Sequence, residues 1–292
     1  MKKTIITIVL LTLCLVSGIA YSIYIKPSNT ESINTSSNSI TPSITPNLPE
    51  KKQPTIYEIR GSYPNMNAAA KKSLNKWKAE VTEEVKKNPE TVFLNGQPTD
   101  KLVALTFDDG PDGNITPKIL DILKNNNVHG NFFFIGDNVK NYPQVVKRAY
   151  TEGNLVLNHS LDHPEFYNKD INFINSELGK TDDYIKQIIG VSPALVRPPY
   201  GIVTDNLLKI AKERGYKLII WSTDTYDWAK KDKNSIAKNV LDNVRPGEII
   251  LMHSNGDKFA TSQALPEIIK GLQEKGYNIV TLDKLLNTNA YK

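Results

Sequence analysis

Cysteine is almost missing from this chain, since Cys14 is the one cysteine among 292 residues. A disulfide within the chain, a zinc ribbon and a catalytic thiol are therefore excluded. Clusters of lysine and arginine are also lacking, although 36 basic residues outnumber 31 acidic ones. Without a basic stripe interleaved with aromatic residues, nucleic acid is not expected as a partner. Hydrophobic residues at 39% and charged residues at 23% exclude a wholly disordered, collagen-like or polytopic membrane protein.

Long hydrophobic runs are lacking too, with one exception at the N-terminus. There Lys2 and Lys3 precede an uncharged segment from Thr4 to Ile25 that is rich in Ile, Leu and Val. About 20 apolar residues suffice to cross a bilayer as a helix, so we expect residues 1–26 to be a membrane anchor or a cleaved signal peptide. The anchor is favoured, although Gly18-Ile19-Ala20 offers a cleavage site. In both cases the lysines stay in the cytoplasm and the rest of the chain lies outside.

Two segments separate this run from the main domain, which we expect at residues 99–292. Residues 27–55 are rich in Ser, Thr, Asn and Pro, a composition that predicts a disordered linker. Residues 56–98 contain one strong helical signal, from Asn67 to Lys87. Apolar residues recur there at helical spacing, namely Leu74, Trp77, Val81 and Val85. We therefore expect an N-terminal helical extension that packs on the main domain.

From Lys101 onward, short apolar runs alternate with amphipathic segments. The apolar runs predict strands at 102–107, 131–135, 154–157, 194–196, 217–221, 248–252 and 277–282. The amphipathic segments predict helices at 116–126, 142–152, 170–189, 205–214, 235–243 and 262–275. Seven strands that alternate with helices predict an α/β fold with a parallel sheet, either open or closed into a barrel.

Polar residues with reactive side chains follow five of the predicted strands. They are Asp108-Asp109, His159, Arg197, Asp224 and His253. Active sites of parallel β/α folds lie at the carboxyl ends of the strands. Closure of the sheet into a barrel would bring these five ends to one rim. The pattern therefore indicates an enzyme.

Two histidines and a pair of aspartates suggest a metal site. If the segment from His159 to His163 makes a helical turn, both imidazoles project from one face and can share an ion. Two histidines and one carboxylate complete a three-ligand site with open positions. Asp108 and Asp109 are adjacent at a strand end, so one can bind the metal while the other accepts a proton. The residues alone leave open which does which. The fourth histidine, His129, has no polar partner nearby in the sequence and is predicted to be structural.

Five ordered motifs carry a resemblance to a known family. They read Thr106-Phe107-Asp108-Asp109-Gly110, His159-Ser160-Leu161-Asp162-His163, Arg197-Pro198-Pro199-Tyr200-Gly201, Asp224-Thr225-Tyr226-Asp227-Trp228 and Leu251-Met252-His253. In order and identity they resemble the motifs of the NodB-homology polysaccharide deacetylases, carbohydrate esterase family four. The resemblance extends from Lys101 to about Leu286. It implies a distorted, TIM-like (β/α)7 barrel, in agreement with the seven predicted strands.

The resemblance also implies a role for each matching position. The implied ligands of a divalent metal, with zinc favoured and cobalt or nickel as alternatives, are Asp109, His159 and His163. The implied catalytic residues are Asp108 as general base, His253 as general acid, and Arg197 and Asp224, which orient and tune the base. The implied substrate-binding residues are Tyr200, whose backbone N–H would bind the oxyanion, Pro199 beside it, and Trp228 and Leu251, which would enclose the acetyl group.

These residues predict metal-dependent hydrolysis of N-acetyl groups on N-acetylglucosamine residues of a cell-wall glycan. Peptidoglycan is the favoured substrate, and chitin-like oligomers, a surface polysaccharide and acetylated xylan are the alternatives. A catalytically silent carbohydrate-binding module is the alternative from another class, although a binder has no use for a base, an acid and a metal together. We expect a monomer on the outer face of the cell membrane, or secreted, that acts on the wall.

Overall fold

The computed structural model describes residues 55–229 and 232–292. The segment at 1–26, expected to be an anchor or signal peptide, lies outside these residues, as does nearly all of the linker expected at 27–55. Those two expectations stay predictions. Within the described part of the chain, no helix combines the length and the apolar character needed to cross a membrane.

Strands and helices alternate along the described residues. The strands are β1 (Val92–Phe93), β2 (Leu102–Asp108), β3 (Asn131–Phe134), β4 (Leu155–Asn158), β5 (Leu195–Val196), β6 (Lys217–Ile219), β7 (Thr223–Asp224), β8 (Ile249–His253) and β9 (Asn278–Ile279). The helices are α1 (Ala68–Lys87), α2 (Ile115–Asn125), α3 (Gly136–Asn141), α4 (Pro143–Thr151), α5 (Ile171–Ile189), α6 (Asp205–Arg214), α7 (Lys233–Leu241), α8 (Phe259–Glu274) and α9 (Leu282–Leu286). Every predicted strand and helix overlaps one of these elements. The unpredicted ones, β1, β7, α3 and α9, have two to six residues, too few to show a period.

The strands form one curled parallel sheet in the order β1-β6-β5-β4-β3-β2-β8-β7, with β9 paired to β2. Strands β6 and β7 follow each other on one segment, 217–224, but they pair with different neighbours. The first pairs with β5 and β1, and the second pairs with β8. The sheet therefore curls back on itself at this segment. The distorted (β/α)7 barrel expected from the sequence is confirmed.

Side-chain alternation along β2 divides its residues between two environments. Val103, Leu105 and Phe107 belong to the apolar cluster that also contains residues of α2, α4 and α8. The intervening residues face the other side of the strand, where the Arg197 guanidinium donates to both Thr106 and Asp108. The alternation thus delivers Asp108 to the inner side of the curled sheet at its carboxyl end.

The segment before residue 99 takes part in the sheet as well as adding a helix. Strand β1 pairs with β6, with Val92 opposite Leu218, and Arg60 forms a bridge to Thr223 beside β7. This segment therefore lies beside β6 and β7, at the place where those two strands take different neighbours in the sheet. The sequence predicted only the helix, because the two residues of β1 show no periodicity of their own.

A chain that starts at Thr99 is expected to be severely destabilised. It lacks β1 and the core residues Val81, Val85, Val92 and Leu94, all of which are buried. Burial of such a side chain contributes roughly 1.5–3 kcal/mol, so the loss of four approaches the whole stability of a typical domain, about 5–15 kcal/mol. Urea denaturation measures this loss against a chain that starts at Thr55. Equal midpoints for the two chains would contradict this account of β1 and α1.

Candidate active site

One cleft of about 1180 Å³ collects nine of the eleven residues that the sequence assigned to the site. They are Asp108, Asp109, His159, His163, Tyr200, Asp224, Trp228, Leu251 and His253. The other two, Arg197 and Pro199, are buried just outside the residues that line the cleft. The structure therefore brings the carboxyl ends of five strands to one place, as closure of the sheet requires.

Asp109, His159 and His163 present one ligand atom each within 4.8 Å of one another. Asp109 Oδ1 lies 3.5 Å from His159 Nε2 and 3.5 Å from His163 Nε2. That oxygen is buried and has no hydrogen-bond partner, which is costly unless another group binds it. Two imidazoles and a carboxylate are ligands suited to zinc and related divalent ions. The donor set therefore fits a metal ion.

Hydrogen bonding sets the orientation of the His159 ring. His159 Nδ1 lies 2.7 Å from the Arg197 carbonyl oxygen, which can only accept, so Nδ1 carries the proton and Nε2 keeps its lone pair. Burial, together with the neighbouring His159, lowers the pKa of His163 to about 4. Burial alone would raise the pKa of Asp109, but its interactions with the nearby histidines hold that pKa well below its usual range. Asp109 and His163 are thus in the states in which they bind metal, and His159 offers the lone pair of its Nε2 atom.

The segment from His159 to His163 is a loop rather than the helical turn considered from the sequence. Its two imidazole rings still meet, with centroids 4.8 Å apart. Glu177 on α5 holds the loop, because its Oε2 accepts from the backbone N–H groups of Leu161 and Asp162. Sequence reasoning missed Glu177. A carboxylate on the buried face of α5, between apolar residues, is the signal that could have revealed it.

Backbone strain is concentrated around the cleft. Non-glycine residues with φ between 57° and 67° occur in its loops, namely Asp109, Ser160, His163, Asn168, Tyr200 and Tyr226. Left-handed conformations at such residues cost about 1–3 kcal/mol each and persist where the surroundings enforce them. The strain is therefore an independent sign that these loops serve function.

Asp108 and Arg197 form a buried ion pair. Arg197 Nη1 donates to Asp108 Oδ1 at 2.7 Å and also to Thr106 Oγ1 at 2.8 Å. The other guanidinium nitrogens donate to the carbonyl oxygens of Ile219 and Ile220. The guanidinium is therefore held in place from several sides, against the Asp108 carboxyl group. Asp108 Oδ2 remains directed toward His159, at 3.7 Å from Nε2.

His253 forms a second buried pair with Asp227. Its Nδ1 donates to Asp227 Oδ1 at 2.8 Å, and Asp227 Oδ2 accepts from the His253 backbone N–H and from Thr261 Oγ1. Burial alone would lower the pKa of His253, but the Asp227 charge and hydrogen bond raise it to about 9. Asp227 was quoted in a motif but received no role from the sequence. The role of Asp227 could have been inferred from the need for a carboxylate beside His253.

Asp224, which was expected to orient and tune the base, makes its described hydrogen bonds to the loop that follows it. Its Oδ1 accepts from the Tyr226 backbone N–H at 2.7 Å, and the Trp228 side chain also hydrogen-bonds to it. Burial raises the pKa of Asp224 to about 6. The direct contact to Asp108 comes from Arg197, and the contacts of Asp224 hold the Tyr226–Trp228 loop.

Exposed aromatic rings border the cleft above these polar groups. Tyr200 is 53% exposed and Trp228 is 48% exposed, whereas Leu251 is buried at 3%. The Tyr200 ring lies 4.6 Å from the His163 ring, and Pro199 begins the short 3-10 turn that presents Tyr200. Exposed aromatic faces beside polar groups suit a sugar ring, which has apolar faces and a hydroxyl rim.

The fold and cleft define a β/α-barrel hydrolase in which one carboxylate and two imidazoles can hold a metal ion. Comparison with known sequences agrees, because the family described as Polysaccharide deacetylase matches residues 95–219. The chain belongs to the polysaccharide deacetylase family. The NodB-homology resemblance found in the motifs is confirmed.

Individual relatives are more specific. A peptidoglycan-N-acetylglucosamine deacetylase of Bacillus cereus is 41% identical over 189 residues, which cover 64% of this chain and 69% of that protein. The peptidoglycan-N-acetylmuramic acid deacetylase PdaC of Bacillus subtilis is 39% identical and covers 64% of this chain, but the match spans only 39% of PdaC. Among solved structures, a peptidoglycan N-acetylglucosamine deacetylase in complex with 4-naphthalen-1-yl-N-oxidanyl-benzamide is 38% identical with a TM-score of 0.67, covering 69% of this chain and 95% of that one.

Proposed function

We propose that this protein removes N-acetyl groups from N-acetylglucosamine residues of peptidoglycan by metal-dependent hydrolysis. The observation that carries the proposal is the convergence of three parts in one cleft. These are the three-ligand group around Asp109, the Asp108–Arg197 pair and the His253–Asp227 pair. A silent carbohydrate-binding module would not need all three.

The residues divide the work of amide hydrolysis between them. The metal ion would be held by Asp109, His159 and His163. When bound, it would lower the pKa of its water and polarise the amide carbonyl. Asp108 takes the proton from the attacking water, and the hydrogen bond from Arg197 holds the Asp108 carboxyl group in place for that purpose. His253 gives its proton to the amide nitrogen as the C–N bond breaks, so the products are acetate and a free amine. The Tyr200 backbone N–H donates to the oxyanion of the tetrahedral intermediate.

The dimensions of the cleft favour a polymer. At about 1180 Å³ it exceeds the usual range of small-molecule pockets, about 300–1,000 Å³. Its exposed aromatic residues, Tyr200 and Trp228, offer flat surfaces to a sugar ring. The relative from Bacillus cereus supports N-acetylglucosamine as the target sugar, and PdaC makes N-acetylmuramic acid the second candidate.

The place of action follows from the N-terminal sequence. We infer that residues 1–26 anchor the protein in the membrane and that the linker at 27–55 holds a monomeric catalytic domain on the outer face. A linker of about 30 residues that behaves as a random coil would span roughly 30 Å on average, which would keep the domain close to the wall. Recovery of a shortened chain in the medium, with none in the membrane fraction, would contradict the anchor.

Mass spectrometry of muropeptides tests the substrate. Wall digests from cells with and without the protein should differ by the mass of one acetyl group per modified disaccharide. Fragmentation assigns that loss to glucosamine or to muramic acid. Loss from muramic acid would replace the proposed sugar, and identical digests would remove peptidoglycan as the substrate.

Removal of the metal is expected to abolish activity. A strong chelator should stop acetate release from an N-acetylglucosamine oligomer, and Zn²⁺ or Co²⁺ should restore it, because two imidazoles and a carboxylate without a thiolate suit both ions. Elemental analysis of the same samples follows the metal directly. Undiminished turnover by protein shown to contain no metal would contradict the assignment of Asp109, His159 and His163 as ligands.

A further inference from the structure

Helix α1 lies before the region that matches the family, 95–219, yet it forms part of the active-site cleft. The residues of α1 that line the cleft are Ser73, Leu74, Lys76, Trp77 and Glu80. Helix α1 is docked at its other end through Val81 and Val85, which are buried in the main core. The helix is therefore a fixed wall of the cleft.

Trp77 connects α1 to the turn that presents Tyr200. Its indole Nε1–H donates to the Gly201 carbonyl oxygen at 3.2 Å. Its ring also stacks on Trp221, with centroids 5.1 Å apart and planes inclined by 28°. A Cβ on Gly201 would lie 2.7 Å from Trp77 Cζ2, so the two residues are in close contact.

The turn needs such support. Tyr200 has φ 57° and ψ 10°, a left-handed conformation inside the turn, and a tyrosine keeps that conformation only where the surroundings enforce it. The turn's own hydrogen bonds are Gly201 N–H to the Pro198 carbonyl and Ile202 N–H to the Pro199 carbonyl. Trp77 adds a third contact, which comes from outside the turn and from a distant part of the chain.

We propose that Trp77 is a positioning residue that holds the Tyr200 turn in its catalytic conformation, and that α1 thereby belongs to the catalytic unit. The effect on rate rests on the proposed function, in which the Tyr200 N–H binds the oxyanion. Trp77 touches neither the three-ligand group nor the acid and base through its described hydrogen bonds and ring contacts. Its removal should therefore displace the turn and leave metal binding intact.

Amide hydrogen exchange in the full chain tests the positioning directly. In Trp77→Ala, exchange at Gly201 and Ile202 should rise about tenfold or more, since the turn opens locally when its support is lost. Trp77→Phe keeps a ring against Trp221 but loses the N–H donor and Cζ2, the Trp77 atom in close contact with Gly201, so it should show a smaller rise. Val85→Ala is the control, because Val85 is buried about two turns further along α1 and does not line the cleft. It should leave exchange at the turn unchanged.

Kinetics of the same variants provide the second measurement. For an N-acetylglucosamine tetramer, Trp77→Ala should lower kcat by about tenfold or more, because a small misplacement of a catalytic group has effects of this size. KM should stay within about twofold, and bound metal should equal that of the unaltered protein. Val85→Ala should retain its kcat at temperatures where it is folded.

Unchanged exchange at the turn in both Trp77 variants would overturn the positioning role, whether or not the protein releases acetate. Equal effects of Val85→Ala on exchange and kcat would overturn it too, because general destabilisation of α1 would then account for the result. If Trp77→Ala does not fold, Trp77→Phe decides alone through exchange at Gly201. Absence of acetate release by the unaltered protein contradicts the proposed function instead, and the exchange experiment still decides on Trp77.

Discussion

Asp108→Asn is expected to lose about 10²-fold or more in kcat while it keeps its metal. Loss of a general base has consequences of about this size, and asparagine cannot accept a proton from water. The asparagine oxygen can still accept from Arg197 Nη1, which lies 2.7 Å from Asp108 Oδ1, so the surrounding structure should survive. Acetate release and elemental analysis on the same preparation measure the two quantities.

His159→Ala is the matched comparison for this variant. It removes one of three ligand atoms that lie within 4.8 Å of one another, so metal and activity should fall together. The unaltered protein and Asp108→Asn should have equal metal content. If Asp108→Asn loses its metal as readily as His159→Ala does, Asp108 is a ligand, and the roles of Asp108 and Asp109 must be exchanged or shared.

Asp227→Asn is expected to move the alkaline limit of activity to lower pH. His253 must carry a proton to act as the acid, and its pKa is raised to about 9. Activity should therefore persist below pH 9 and decline as the pH rises through this value. Without the Asp227 charge, less offsets the effect of burial, which lowers the pKa of His253. The alkaline limit should therefore fall by about 2 pH units, within the usual effect of a close opposite charge.

The pH profile of kcat for the two proteins checks this expectation. Thr261→Val is the control. It removes the hydrogen bond from Thr261 Oγ1 to Asp227 Oδ2 but leaves the contact from His253 Nδ1 to Asp227 Oδ1 in place. Its alkaline limit should move much less than that of Asp227→Asn. Identical alkaline limits in Asp227→Asn and the unaltered protein would mean that another group supplies the proton.

Much of the fold and most of the cleft could be predicted from local sequence. The seven predicted strands appear in the sequence as short apolar runs, and the seven predicted helices repeat an apolar pattern at helical spacing. The carboxyl ends of parallel strands meet at one rim, so Asp108, His159, Arg197, Asp224 and His253 were expected together. Their roles came from the family motifs, and those roles stay proposals.

Other features became visible only in the tertiary structure. The partner of His253 is Asp227, 26 positions away, and the support of the Tyr200 turn is Trp77, 124 positions from Gly201. Strand β1 was hidden because two residues carry no period. The spacing of His159 and His163 was compatible with a helical turn. It does not reveal the hydrogen bonds from the loop backbone to Glu177, which hold this segment as a loop.

The difference between the features that were predicted and those that were not lies in the sequence separation of the interacting residues. Periodicity and turn residues report what a few neighbouring residues prefer, and they determined where strands begin and end and which side chains stand at the strand ends. The contacts that orient those side chains join residues far apart in the chain, as Arg197 and Asp108 do across 89 positions. Only closure of the sheet brings such residues within hydrogen-bonding distance, so the sequence determined the chemical groups of this site and the tertiary structure decided how they are paired and held.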